Sequence, residues 1–173
     1  MLDAISCLPD CDGRQADALQ AYTQAELGGC ETWIFLPQSQ QPASWSKFRS
    51  PVCRLKLALY GHPLAGVFWE RHCSAKLALC GWRRAPDWES CFAHHEHGLV
   101  LSVYVDDFRM AGNNANMSRA WADIKKHIQI DEVTPFGKYL GCGHEPFAIS
   151  PAEAVEKNAH ASSLLDWVEA LNE

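Results

Sequence analysis

Long hydrophobic runs are missing from this sequence. No apolar stretch approaches the roughly 18 residues that a membrane-spanning helix needs, so no membrane partner is expected. The first 20 residues hold Asp3, Asp10 and Asp12 without a basic cluster, and a secretory leader is not expected there. Positive charge is also scarce: 15 Lys and Arg face 21 Asp and Glu, for a net charge of −6. That balance weighs against nucleic acid being gripped over the whole surface. No internal repeat is visible, which argues against a solenoid. Regular cysteine spacing is lacking as well. The eight cysteines are scattered over 173 residues, which reads as reduced thiols of an intracellular protein, cytoplasmic or nuclear, and not as a disulfide framework.

What is present is core-forming material. Hydrophobic residues make up 47% of the chain, enough for one domain with a packed interior. Charge is unevenly placed. Residues 47–84 carry eight basic side chains against Glu70 alone, while residues 145–173 carry six acids against Lys157. The basic block either tracks a phosphate backbone or forms a solvated surface.

Local patterns divide the chain. Residues 1–13 read as irregular. The stretch Ala16–Tyr22 reads as a strand running into a turn or short helix. Thr32–Leu36 is aromatic and β-branched and stops at Pro37, so it reads as a strand. Three prolines between 37 and 51 predict a loop, and 52–59 is undecided between strand and helix. Apolar spacing predicts a helix from Ala65 that ends at Gly81. Residues 82–92 read as a short strand and turn, and 98–112 as a hairpin. A helix over 118–128 places Trp121, Ile124 and Ile128 on one face, with Asn113–Asn116 supplying cap chemistry. Tyr139–Cys142 reads as a last strand and 151–171 as a final helix. Strands separated by a few helices imply an α+β fold, an antiparallel sheet with helices packed on one face.

One motif carries chemistry. Tyr104-Val105-Asp106-Asp107 follows the apolar run Leu99–Val103 and precedes Phe108–Gly112, placing two adjacent carboxylates at a hairpin tip. Neighbouring carboxylates repel one another, and a bound divalent cation is the usual reason to put them there. A two-metal centre needs a further carboxylate from another strand, and Asp17 is the candidate. Cys91, His94, His95 and His97 are zinc-ligand types, but their spacing fits no standard zinc pattern.

The motifs together resemble the reverse transcriptase domain of copia-type long-terminal-repeat retrotransposons. Asp17–Tyr22, Trp33–Pro37, Val52–Gly61 with Trp69, Tyr104–Asp107 with Gly112-Asn113-Asn114, and Lys138–Gly141 match that family's motifs in order. The resemblance covers about residues 14–145. It departs after Gly61, where His62-Pro63-Leu64-Ala65-Gly66 replaces the family's Leu-Lys-Gln-Ala-Pro. The resemblance implies a polymerase palm with part of the fingers over 14–145, after a segment 1–13 and before a helical tail or thumb start over 146–173. It implies that Asp17 and Asp106 ligate two Mg²⁺ ions (Mn²⁺ being an alternative), with Asp107 assisting. Tyr22 would exclude a 2′-hydroxyl, Tyr104 and Val105 would lie near the primer terminus, and Gly61, Arg54 and Lys56 would contact the template-primer. Partners would be an RNA/DNA template-primer, deoxynucleoside triphosphates and other parts of a Pol polyprotein. A decayed or domesticated copy that only binds a partner is the alternative.

Overall fold

A computed structural model of the chain describes residues 1–139 and 141–145. The elements run α1 (Leu2–Ser6), β1 (Cys11–Asp17), β2 (Trp33–Phe35), β3 (Val52–Arg54), α2 (Ala65–Leu79), β4 (Arg83–Arg84), β5 (Cys91–His94), β6 (Leu99–Tyr104), β7 (Asp107–Asn113), α3 (Asn114–Lys125) and β8 (Thr134–Pro135), with short 3₁₀ turns between them. The fold is α+β with an antiparallel sheet, as the pattern predicts, but α1 and α3 lie on opposite faces of that sheet and not on one. Its main sheet has the order β4-β5-β6-β7-β1-β8, and every neighbouring pair is antiparallel.

The chain divides into two compact units, and the boundary falls within α2. The first comprises Met1–Leu19 and the described residues from Cys73 onward; the second is Gln20–His72. In the first unit, side chains alternate across the sheet. Phe108 and Met110 of β7 are completely buried, as are Leu99 and Leu101 of β6 and Met117 and Ile124 on the inner side of α3. Val100 and Ala111 point the other way and pack with Leu2 and Ile5 of α1, with Met1 and Phe136 beside them. Gly112 is required where β7 passes β6: a Cβ there would lie 2.2 Å from the Gly98 carbonyl oxygen. In the second unit β2 and β3 form a two-stranded ribbon, with Trp33 opposite Arg54 and Phe35 opposite Val52.

Several expectations need correction. The amino-terminal stretch contains a helix, because Leu2 and Ile5 share a face that the sheet buries. Helix α3 begins four residues earlier than the pattern suggests and ends at Lys125, its N-cap being the Asn113 side chain, which accepts the Ala115 amide at 2.9 Å. Residues 139 and 142 form a tight turn with paired backbone hydrogen bonds, and the last strand lies upstream at Thr134–Pro135. Residues 52–54 resolve to strand. The expected helix over 151–171 lies outside the described residues.

Candidate active site

The hairpin tip is built from a two-residue turn. Tyr104 and Asp107 are the last paired residues of β6 and β7, leaving Val105 and Asp106 in the turn. Val105 takes φ +55°, left-handed geometry that a β-branched residue adopts only under strain. Tyr104 is exposed, and Val105, Asp106 and Asp107 are half-buried.

Strand β1 brings the third carboxylate. Asp17 is the cross-strand partner of Asp107. The Ala18 amide, and not that of Asp17, donates toward the hairpin, to the Asp106 carbonyl at 2.7 Å. Asp17 and Asp107 therefore form a non-hydrogen-bonded pair, the kind whose side chains stand closest. Their carboxyl groups are close enough to interact. Partial burial, then the charges of Asp107 and Asp131, that contact, and the charge of Asp106 all push the Asp17 carboxyl above its ordinary value. Such crowding favours either a retained proton or a cation.

Asp131 is the member that sequence reasoning missed. Its Oδ1 accepts the Asp17 amide at 2.8 Å, and its own amide donates to the Asp17 carbonyl at 2.9 Å. The contact spans 114 positions, and no local pattern announces it.

Two residues further along β7, Arg109 shares the face of Asp107. It is almost wholly buried, its guanidinium lying 3.9 Å from the Phe136 ring centre and 4.5 Å from that of Tyr139. Its Nη2 donates to Asp3 Oδ1 at 2.8 Å, and His144 Nε2 approaches the same oxygen at 2.9 Å. Burial alone would raise the Asp3 carboxyl, but the Arg109 hydrogen bond and charge outweigh it and leave the carboxyl below its ordinary range.

Asp17, Asp106 and Asp107 are thus brought together, with Asp107 and not Asp106 directly opposite Asp17. Tyr22, Arg54, Lys56 and Gly61 belong to the second unit. There the Tyr22 ring rests on Tyr60, centres 4.4 Å apart. Arg54 pairs with Glu31 at 2.7 Å, the Lys56 carbonyl accepts the Leu27 amide, and Gly61 turns the chain with φ +90°.

As oxygen donors, the carboxylates suit a hard divalent cation such as Mg²⁺, and the raised Asp17 carboxyl marks negative charge that such an ion would relieve. The fit is to one edge of a site: among the described residues, no group of three His, Cys, Asp or Glu side chains is gathered as a ready cage. The zinc reading of 91–97 does not hold among these residues either. Cys91 and His94 lie three apart on β5 and point to opposite faces. His94 is buried edge-on to Trp82 and stacked on His97 at 3.9 Å, while Cys91 is buried on the opposite face and that burial pushes its thiol up.

A family model described as reverse transcriptase (RNA-dependent DNA polymerase) matches residues 1–168. No curated protein and no solved structure matches the chain.

Proposed function

The chain belongs to the reverse transcriptase (RNA-dependent DNA polymerase) family, and from that premise we propose that it supplies the nucleotidyl-transfer core of a copia-type retrotransposon polymerase, carried within a Pol polyprotein. The observation that supports this reading best is the cross-strand pairing of Asp17 with Asp107 beside Asp106. The eight free thiols suit a reducing, intracellular setting.

In this reading Asp17, Asp106 and Asp107 hold Mg²⁺, with Mn²⁺ able to substitute. When bound, the metal pair would activate the primer 3′-hydroxyl and offset charge on the phosphoryl oxygens. The protein's own contribution is placement. The strained turn at Val105 fixes the tip so that Tyr104 and Val105 meet the primer terminus. Asp17 and Asp107 present paired oxygens from facing strands, and positioning of this kind supplies much of the rate in phosphoryl-type transfer. Tyr22, braced by Tyr60, is the side chain that would exclude a ribose 2′-hydroxyl. Arg54, Lys56 and the Gly61 turn would contact the template-primer backbone.

Extension of an oligo-dT primer on poly-rA with Mg²⁺ or Mn²⁺ tests the reading. The wild-type chain is expected to extend the primer, and Asp106→Asn and Asp107→Asn to abolish extension. Unchanged synthesis by either variant would sink it. A second reading, a folded remnant that makes no DNA, is favoured by the lack of a three-ligand cluster among the described residues. It is the outcome if neither ion supports extension by a cooperatively melting wild-type protein.

A further inference from the structure

Strand β1 is paired on both edges, but the pairing on the β8 side is interrupted beside Asp17. Upstream, Arg14 and Gln15 pair with Pro135 and Thr134 of β8. Downstream, Ala18 bridges Ile130, and the Leu19 amide donates to the Gln129 carbonyl at 2.9 Å. These two stretches differ in register by one residue, so the ladder cannot run through continuously, and the chain at 132 and 133 bulges away. The Asp17 amide falls in that gap. A backbone donor there loses its strand partner and needs a substitute.

We infer that Asp131 is a positioning residue for the acid pair: its carboxylate replaces the missing strand carbonyl and its amide completes the ring, so Asp17 is held opposite Asp107. Asp131 Oδ1 takes the Asp17 amide at 2.8 Å, and the Asp131 amide returns to the Asp17 carbonyl at 2.9 Å. On the other edge, the Ala18 amide bonds to Asp106 at 2.7 Å. The last residues of β1 are therefore clamped between the hairpin tip and Asp131. A strand end held on one edge only would let the Asp17 Cα drift, and small misplacements of a reacting group cost rate steeply. An acceptor oxygen is what this role requires; the formal charge is secondary.

The inference rests on the polymerase reading for its consequence in catalysis, but not for its structural content. The test compares the wild-type chain with Asp131→Asn, which keeps an acceptor oxygen, and Asp131→Ala, which does not. Two quantities are read in the full chain: exchange of the Asp17 amide in EDTA by NMR, and single-nucleotide addition on a poly-rA/oligo-dT hybrid. Loss of a hydrogen bond to a charged acceptor should speed Asp17 exchange about tenfold or more in Asp131→Ala. In the same variant kcat should fall by about tenfold to a hundredfold, with KM for the triphosphate changing less than about threefold. Asp131→Asn should stay near wild type in both. Unaltered Asp17 exchange in Asp131→Ala overturns the inference, and so does an Asn variant as impaired as the Ala variant. If the wild-type protein makes no DNA, the exchange comparison still decides the role of Asp131, and the polymerase reading alone fails.

Discussion

Replacing either acid of the facing pair should stabilise the metal-free protein while removing its activity. Asp17 and Asp107 are non-hydrogen-bonded partners, so their Cβ atoms stand about 4.5–5 Å apart and their charges within a similar reach. Two unit charges at that distance repel by about 1 kcal/mol in water and about 4 kcal/mol at the effective dielectric of a protein surface. Asp17 is exposed and Asp107 half-buried, so solvent screening places the value near the lower bound, about 1 kcal/mol. In a protein of this size that corresponds to a rise in Tm of about 2–4 °C. Asp107→Asn and Asp17→Asn should each show it in EDTA at pH 7.5, and the double variant should add little, because both remove the same repulsion. The pH dependence follows from the raised Asp17 carboxyl. The native state holds that proton more tightly than the unfolded chain, so stability is lost as pH rises through the ordinary aspartate range and regained on acidification. The gap between variant and wild type should therefore close as the pH is lowered. Millimolar Mn²⁺ should raise the wild-type Tm and leave Asp107→Asn nearly unmoved. Differential scanning calorimetry with and without EDTA measures all three quantities. A Tm in EDTA that is unchanged or lower in both variants would refute the view that the acids are held in mutual repulsion.

Two further outcomes concern the scaffold. Gly112→Ala places a Cβ 2.2 Å from a backbone oxygen at φ +134°; it should cost about 3 kcal/mol or more in urea denaturation, and a loss below about 0.5 kcal/mol would contradict the close passage of β6 and β7. Burial, followed by the charge of His97, pushes the His94 imidazole below its ordinary value, so the unfolded chain gains a proton near pH 6.5 that the native state refuses. Stability should fall as pH drops from 7.5 to 5.5, with a slope of up to about 1.4 kcal/mol per pH unit from this group; His94→Asn should flatten that slope, and equal slopes in the two proteins would exclude the explanation.

The hairpin was legible because two physical demands coincide there: an apolar run that suits a buried strand, then acids that a buried strand rejects. Helix α3 was legible in its inner face, Trp121 and Ile124, but not in its start, since asparagine is a poor helix former until one of them caps the others. Strand β1 was legible only at its end, Ala16–Asp17, and not from Cys11 to Gln15. Its residues Cys11–Asp17 are mostly polar, and only Gly13 and Ala16 are buried, so pairing on both edges and not apolar alternation makes it a strand. Asp131 and Arg109 were illegible for a related reason. Their partners lie 114 and 106 positions away, and an acid or a basic residue alone signals only solvent. Tyr139–Cys142 carries strand-forming residues, yet the pairing falls to Thr134–Pro135, because β1 offers its free edge there.

Strand β1 also has a life on the ribosome. Its partner β7 is encoded about ninety residues later, so at ~5–20 residues per second the nascent β1 waits roughly 5–20 s with both edges bare. A hydrophobic strand left so long would invite aggregation. Asp12, Arg14 and Asp17 interrupt this one with charge, the pattern that opposes such association. Asp17 thus sits among the charges that guard the nascent strand, and a chain released before Asp107 has been translated carries only one half of the facing acid pair.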